Sequence, residues 1–135
     1  MDLEQIMLLV QRRYGFLREI DRLTRELKEA LERKDEVSVR LLLQMRAEEM
    51  AKIEECQEEL WKLAGQDRDH SAYLKQLLSC EPRQNQPGGS FEEKKILEIR
   101  QKSLELLRDI RKLDERLNLS TGGEKSFYKK TSSEK

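Results

Sequence analysis

His70 is the side chain best suited to acid–base chemistry in this sequence, because it is the only histidine. It lies between Asp69 and Ser71, with Asp67 close by, so the residue types of a Ser-His-Asp triad occur in one short stretch. Neighbours in sequence seldom converge on one substrate atom, and no glycine-rich loop accompanies them to supply oxyanion donors. We therefore assign His70 to a helix start and predict that the protein is not an enzyme.

Metal and redox chemistry would have to come from acidic pairs and two cysteines. The residues concerned are Glu48-Glu49, Glu54-Glu55, Glu58-Glu59, Cys56 and Cys80. A di-iron site in a helical bundle needs Glu-x-x-His pairs on facing helices, which a chain with one histidine cannot supply. The cysteines form no C-x-x-C motif. We expect a solvated acidic face, two free thiols in a reducing cytosol, no metal and no cofactor.

The composition favours long exposed helices in a single domain. Of 135 residues, 40% are charged and 36% are hydrophobic, with six glycines and two prolines. The 27 basic and 27 acidic residues cancel, which argues against a nucleic-acid partner. The longest apolar run, Ile6–Val10, is too short for a signal peptide or a membrane span. We expect a cytoplasmic protein that does not insert into membranes.

The elements that position these residues are helices, because apolar residues recur in steps of three and four along three long stretches. Arg13 and Thr24 interrupt the first stripe, and Ser90 with Glu93 forms a capping box before the last. Lys34 and Asp35 resemble the tip of a helical hairpin, since basic residues precede them and acidic residues follow. The predicted helices cover about 2–34, 35–64, 69–80 and 90–119.

The predicted fold class is all-α, an elongated antiparallel bundle of three long helices with a short crossover helix. A single domain is expected over 1–121. Both prolines lie in the loop predicted over 81–89, and residues 122–135 are predicted to form a flexible basic tail.

The second and last long helices carry more apolar residues than one stripe each requires. One explanation is that the crossover helix and wide stripes cover the surplus. The other is a groove or seam for an amphipathic helix from a partner or a second copy, where methionine adapts to irregular surfaces and tryptophan contributes binding energy. The surplus residues are Leu41, Met45, Trp61, Leu97, Leu104 and Leu107.

Phe127 and Tyr128 are two adjacent aromatic residues in an otherwise polar tail. A folded-back anchor, a short docking motif and a chance pair are all compatible with this pattern.

The stretch 23–35, followed by 41–49 and Ile53, resembles the flagellar export chaperones of the FliT and FlgN type. In that family a long first helix ends in a short acidic turn, and the second helix has a charged, leucine-containing register. The end of the last helix at Leu113–Leu117 and the tail with Tyr128 are similar to FliT. This chain departs from the pattern in its Pro/Gly loop before the last helix and in lacking the Asn-rich stretch usual in FlgN.

The resemblance implies a helical chaperone without catalytic residues. Such a protein holds the terminal amphipathic helix of a filament-cap or hook-associated protein, prevents its premature polymerisation and delivers it to the export gate. The alternative is a structural or adaptor coiled coil that self-associates as a homodimer. For a protein of this kind, the expected groove residues are Leu41, Met45, Trp61, Leu97 and Leu104, and the residues expected for docking or regulation are Phe127 and Tyr128.

Overall fold

The computed structural model describes residues 3–66, residue 72 and residues 90–120, without the side chains of residues 118–120. Within these ranges the chain forms α-helices and no β-strand, which confirms the all-α class. The long helices are α1 (Leu3–Glu32), α2 (Glu36–Gln66) and α3 (Phe91–Ser120). Three predicted segments lie outside the described residues: the short helix over 69–80, apart from residue 72, the loop over 81–89 and the tail over 122–135.

The turn between α1 and α2 closes the end of α1 with a Schellman motif. The Asp35 amide donates to the Ala30 carbonyl at 2.9 Å, and the Lys34 amide donates to the Leu31 carbonyl at 3.1 Å. This geometry places Lys34 at a φ of 58°, in the left-handed region that normally favours glycine. The hairpin therefore uses a residue that pays a steric cost at its tightest point.

Side chains cap the starts of α2 and α3. The Asp35 carboxylate accepts hydrogen bonds from the Ser38 amide at 3.1 Å and the Ser38 hydroxyl at 2.7 Å, and these bonds lower the pKa of Asp35. The Ser90 hydroxyl accepts from the Glu93 amide at 3.2 Å. Each cap satisfies a helix-start amide that has no partner within the helix, so both starts are specified locally.

Helix α1 is the element on which the other two pack. Both α2 and α3 contact α1, whereas no Cα atom of α2 comes within 8 Å of one in α3 over the described ranges. Closely packed helices lie 8–10 Å apart axis to axis, so α2 and α3 are separated from each other. At about 1.5 Å per residue, each helix is roughly 45 Å long.

Two apolar clusters show the direction of the helices. One joins the start of α1, the end of α2 and the start of α3, and the other joins the middle of all three helices. Helix α3 thus runs parallel to α1 and antiparallel to α2. The buried members of the first are Ile6, Leu9, Val10, Leu60, Ala64, Ile96 and Ile99; those of the second are Leu17, Ile20 and Ile110, against which Met50, Ile53, Leu106 and Leu107 pack.

The two polar residues that interrupt the α1 stripe both find partners. Arg13 donates to the Gln57 side-chain oxygen of α2 at 2.5 Å, at a level between the two apolar clusters. Thr24 is fully buried, and its hydroxyl donates to the Ile20 carbonyl one turn earlier at 2.6 Å. Hydrogen bonding removes most of the cost of burying these groups.

Gly15 lies inside the uninterrupted helix α1 and is exposed. A Cβ atom added there would meet nothing within 4 Å. Gly15 therefore does not mark a close contact between helices.

Replacing Lys34 with glycine should stabilise the fold. Glycine adopts the positive φ at this position without the steric cost, and we expect the free energy of unfolding to rise by about 1 kcal/mol in urea denaturation. Lys62→Gly is the matched control, since Lys62 is solvent-exposed and lies within helix α2. This substitution should lower the free energy of unfolding by about 1 kcal/mol. A Lys34→Gly protein that is also destabilised would show that the turn does not hold the left-handed conformation.

Candidate functional site

The residues that first suggested chemistry are dispersed or fall outside the described ranges. Of the acidic pairs on α2, only Glu49 is partly buried, and it forms an ion pair with Lys52. Within the described residues, no group of three His, Cys, Asp or Glu side chains is arranged to hold a metal ion. Cys56 is a buried free thiol whose pKa is raised by burial. His70 and Cys80 lie outside the described residues.

A groove runs between α2 and α3, with α1 as its floor; we call it the central groove. It exists because α2 and α3 both pack on α1, while their backbones stay more than 8 Å apart, Cα to Cα, over the described residues. Its volume is about 380 Å³, and most of its lining is apolar. The apolar lining residues are Leu17 and Ile20 of α1, Met50 and Ile53 of α2, and Leu107 and Ile110 of α3.

An ion pair spans one end of the central groove. Arg46 of α2 donates from Nη1 to Oδ1 of Asp114 of α3 at 3.3 Å. Only 2% of the Arg46 side chain is exposed, and burial lowers the pKa of its guanidinium. Burial also raises the pKa of Asp114 to about 6, although Arg46 acts in the opposite direction. Desolvation thus outweighs the attraction of Arg46, and Asp114 titrates close to neutral pH.

The rims of the groove carry opposite charges. Glu54 lines the α2 side and Arg111 lines the α3 side, while Arg46 and Asp114 occupy the interior. Both rim residues are exposed. An apolar floor between an acidic and a basic rim suits a ligand that is itself amphipathic.

Three of the predicted site residues share helical faces with the groove lining. Leu104 precedes Leu107 by three residues, and Leu97 precedes Leu104 by seven, so they follow the groove side of α3 toward its start. Trp61 follows Glu54 by seven residues on α2 and is 40% exposed. Leu97 and Leu104 are half-buried. These residues extend the apolar surface beside the groove toward the end of α2 and the start of α3, which residues 67–90 connect.

Leu41 and Met45 lie together elsewhere. They line a second groove, between α1 and α2 near the hairpin, and its α1 side consists of Arg22, Leu23, Glu26 and Glu29. Leu41 is 56% exposed and Met45 is half-buried. The structure therefore places these two residues on a different flank of α2 from Trp61. Phe127 and Tyr128 lie outside the described residues.

Sequence analysis missed the ion pair that spans the central groove. A signal for Arg46 was present, since the apolar stripe of α2 steps from Leu43 to Met50 with Arg46 in the intervening core position. No comparable signal marked Asp114, which follows the stripe residue Leu113 among other charged residues. Charged side chains in a helix with many charged residues are ordinarily solvated. Asp114 differs from its neighbours only because Arg46 of α2 reaches it across the groove.

Comparison of the chain with protein-family models, curated proteins and solved structures finds no match in any of the three. In the described part of the chain, no helix combines the length and apolarity needed to cross a membrane. The geometry and chemistry of the central groove are therefore the basis for the proposed function.

Asp114→Asn should change how stability depends on pH. The pKa of Asp114 is about 6 in the folded protein, against an ordinary value of 3.8, so the folded state binds the proton more tightly. This residue's contribution to stability falls as pH rises from about 4 to about 6 and stays low above that range. When the pH is lowered from 7 to 4.5, the free energy of unfolding of the unaltered protein should rise by about 1–2 kcal/mol relative to that of Asp114→Asn. This value is discounted for residual solvent access and is measured by urea denaturation.

Asp109→Asn removes a negative charge from an exposed position on the same helix and is the matched control. If the stability difference between the unaltered protein and Asp114→Asn is the same at both pH values, Asp114 is not desolvated in the folded state.

Proposed function

We propose that this protein binds an amphipathic helix in the central groove and acts, without catalysis, as a chaperone of the flagellar export type. The observation that carries the proposal is the separation of α2 from α3 above an apolar floor of α1. A helix placed there would complete a four-helix arrangement, in which apolar side chains of all members face a shared interior. Helices α1, α2 and α3 would be three of those four helices, and the bound helix would be the fourth.

The lining favours a helix over a small polar ligand. Leu17, Ile20 and Ile110 form a buried apolar base, while Met50 and Leu107 are half-buried at the sides. Fully burying a side chain of this kind contributes about 1.5–3 kcal/mol, and partial exposure leaves part of that contribution to an incoming helix. Methionine adds tolerance for clients of different shape.

The residues on the α3 and α2 walls define the expected extent of the client site. Leu97 and Leu104 continue the α3 wall, and Trp61 continues the α2 wall, by helical periodicity. We propose that these residues contact the client, while Phe127 and Tyr128 of the tail take part in docking or regulation. Leu41 and Met45 would serve a separate contact near the hairpin.

The biological setting follows from the resemblance to FliT and FlgN. The proposed client is the terminal amphipathic helix of a filament-cap or hook-associated protein, and the export gate is the proposed second partner. Such helices would aggregate if left exposed before export, and a removable apolar groove prevents this. We accordingly place the protein in the cytoplasm and propose an antiparallel bundle of three long helices with a short crossover helix over 69–80.

Charged substitutions in the groove should weaken client binding. The measurement is isothermal titration calorimetry of the full-length chain with synthetic peptides spanning the terminal helices of the filament-cap and hook-associated proteins encoded in the same genome. Met50→Glu and Leu107→Glu should each reduce affinity at least about tenfold, because each places a charge against the buried face of the peptide. Circular dichroism checks that the variants remain helical.

Leu8→Glu is the matched control, since Leu8 is 51% exposed on α1 and does not line the groove. An equal loss of affinity in Leu8→Glu would refute the groove as the binding site. Absence of binding by every peptide would refute the flagellar client.

A self-associating adaptor is the second candidate, and the exposed apolar residues of α2 near the hairpin favour it. Val37 is 79% exposed and Leu41 is 56% exposed, one helical turn apart. In this case a second copy would cover them across a two-fold axis. Sedimentation at micromolar concentration should then show a tight dimer that Leu41→Glu converts to a monomer, whereas a chaperone of the proposed kind should sediment as a monomer or weak dimer.

A further inference from the structure

We propose that in the unliganded protein the chain's own connecting segment, around residues 72–78, occupies the central groove. The chain leaves α2 at Gln66 and re-enters α3 at Phe91. Both points lie at the same end of the molecule, because Ala64 and Ile96 belong to one apolar cluster. The connection therefore begins and ends at one end of the molecule, about 20 Å along α2 from the groove residue Ile53, and must return to where it started.

The sequence of the segment matches an apolar groove. Tyr73, Leu74, Leu77 and Leu78 are spaced as neighbours on one face of a helix. Ala72 is described as helical and exposed, and helical periodicity places it opposite that face. A helix with Ala72 toward solvent would direct its apolar face toward the interior.

The length of the segment agrees with this placement. A helix that starts at residue 69, as predicted from the sequence, and runs back along α2 rises about 1.5 Å per residue, so it gains roughly 14 Å by Leu78. Ile53, in the lining of the groove, lies about 20 Å from Gln66 along α2 by the same measure. Tyr73 and Leu74 thus reach the level of Trp61, and Leu78 comes within roughly one helical turn of the level of Ile53.

Residues 81–89 are also long enough to bring the chain back to the start of α3. Residues 81–89 can span up to about 30 Å when extended, which exceeds the distance back to the start of α3. Two prolines and two glycines in this stretch are compatible with a non-helical return. The tail beyond Ser120 leaves α3 at the opposite end and would have to fold back along it to reach the same surface.

Occupation of the groove by this segment would make client binding competitive. A client helix would have to displace residues 72–78, so its apparent affinity would be reduced by the fraction of molecules in which the groove is filled. The inference uses the same groove as the proposed function but requires no client.

Cysteine labelling tests the occupant directly. In the full-length chain with Cys56→Ala and Cys80→Ala, Leu107→Cys places a thiol in the groove, and Asp109→Cys, at an exposed position on α3 that does not line the groove, is the control. Adding Leu74→Ser with Leu77→Ser should raise the maleimide labelling rate at position 107 by about tenfold or more, because the segment loses its apolar contacts. The rate at position 109 should not change.

Two alternative occupants give different results. If truncation after Ser120 raises the rate at position 107 and the segment substitutions do not, the tail is the occupant and the proposal is wrong. If protection at position 107 disappears on dilution, a second copy covers the groove and the proposal is also wrong. A rate at position 107 that neither change nor dilution affects shows an unoccupied groove and overturns the proposal as well.

Cross-linking provides a measurement that leaves the apolar contacts of Leu74 and Leu77 in place. In the same cysteine-free background, Glu54→Cys with Leu78→Cys should cross-link within one chain through a short bismaleimide. Glu54→Cys with Gln76→Cys should not, since helical periodicity of the proposed segment would put Gln76 opposite the apolar face. Equal cross-linking of both pairs would contradict the proposed orientation. Neither experiment uses a client, so this inference can fail while a client peptide still binds, and client binding can fail while protection persists.

Discussion

The structure depends on one helix that offers apolar surface to two neighbours. Helix α1 has buried residues from Ile6 to Ala30, and α2 and α3 both pack on it, while no Cα atom of α2 lies within 8 Å of one in α3 over the described residues. A helix with a wide apolar stripe can support two partners in this way, and the space left between them is then apolar at its base. The central groove is therefore a consequence of how the core is built, and it needs no separate element to create it.

Polar groups divide this core along its length. Arg13 and Gln57 meet between the two apolar clusters, Thr24 is satisfied within its own helix, and Arg46 with Asp114 spans the groove. Buried pairs of this kind contribute little net stability, because desolvation offsets their attraction. The raised pKa of Asp114 shows that offset in this molecule. The pair joins α2 to α3 at one level, which fixes how the two walls of the groove face each other.

The client helix and the chain's own connecting segment are both proposed to bind in the central groove. An apolar base between charged rims can receive an amphipathic helix from another protein or from the same chain, because both present the same chemistry. The second groove, which Leu41 and Met45 line, is distinct, since three charged residues, Arg22, Glu26 and Glu29, stand beside Leu23 on its α1 side. One protein thus carries two surfaces of different character on opposite flanks of α2.

The sequence by itself determined the all-α class, because a three-and-four apolar periodicity and side-chain caps such as Ser90 act locally along the chain. It also identified surplus apolar residues such as Trp61 and Leu104. Only the tertiary structure decided that α2 and α3 would lie apart, that Arg46 would meet Asp114, and that Leu41 and Met45 would face a different groove. These features depend on which sides of the three helices pack together. The helical period gives the position of a residue around the axis of its helix, but it does not determine which other helix the residue contacts.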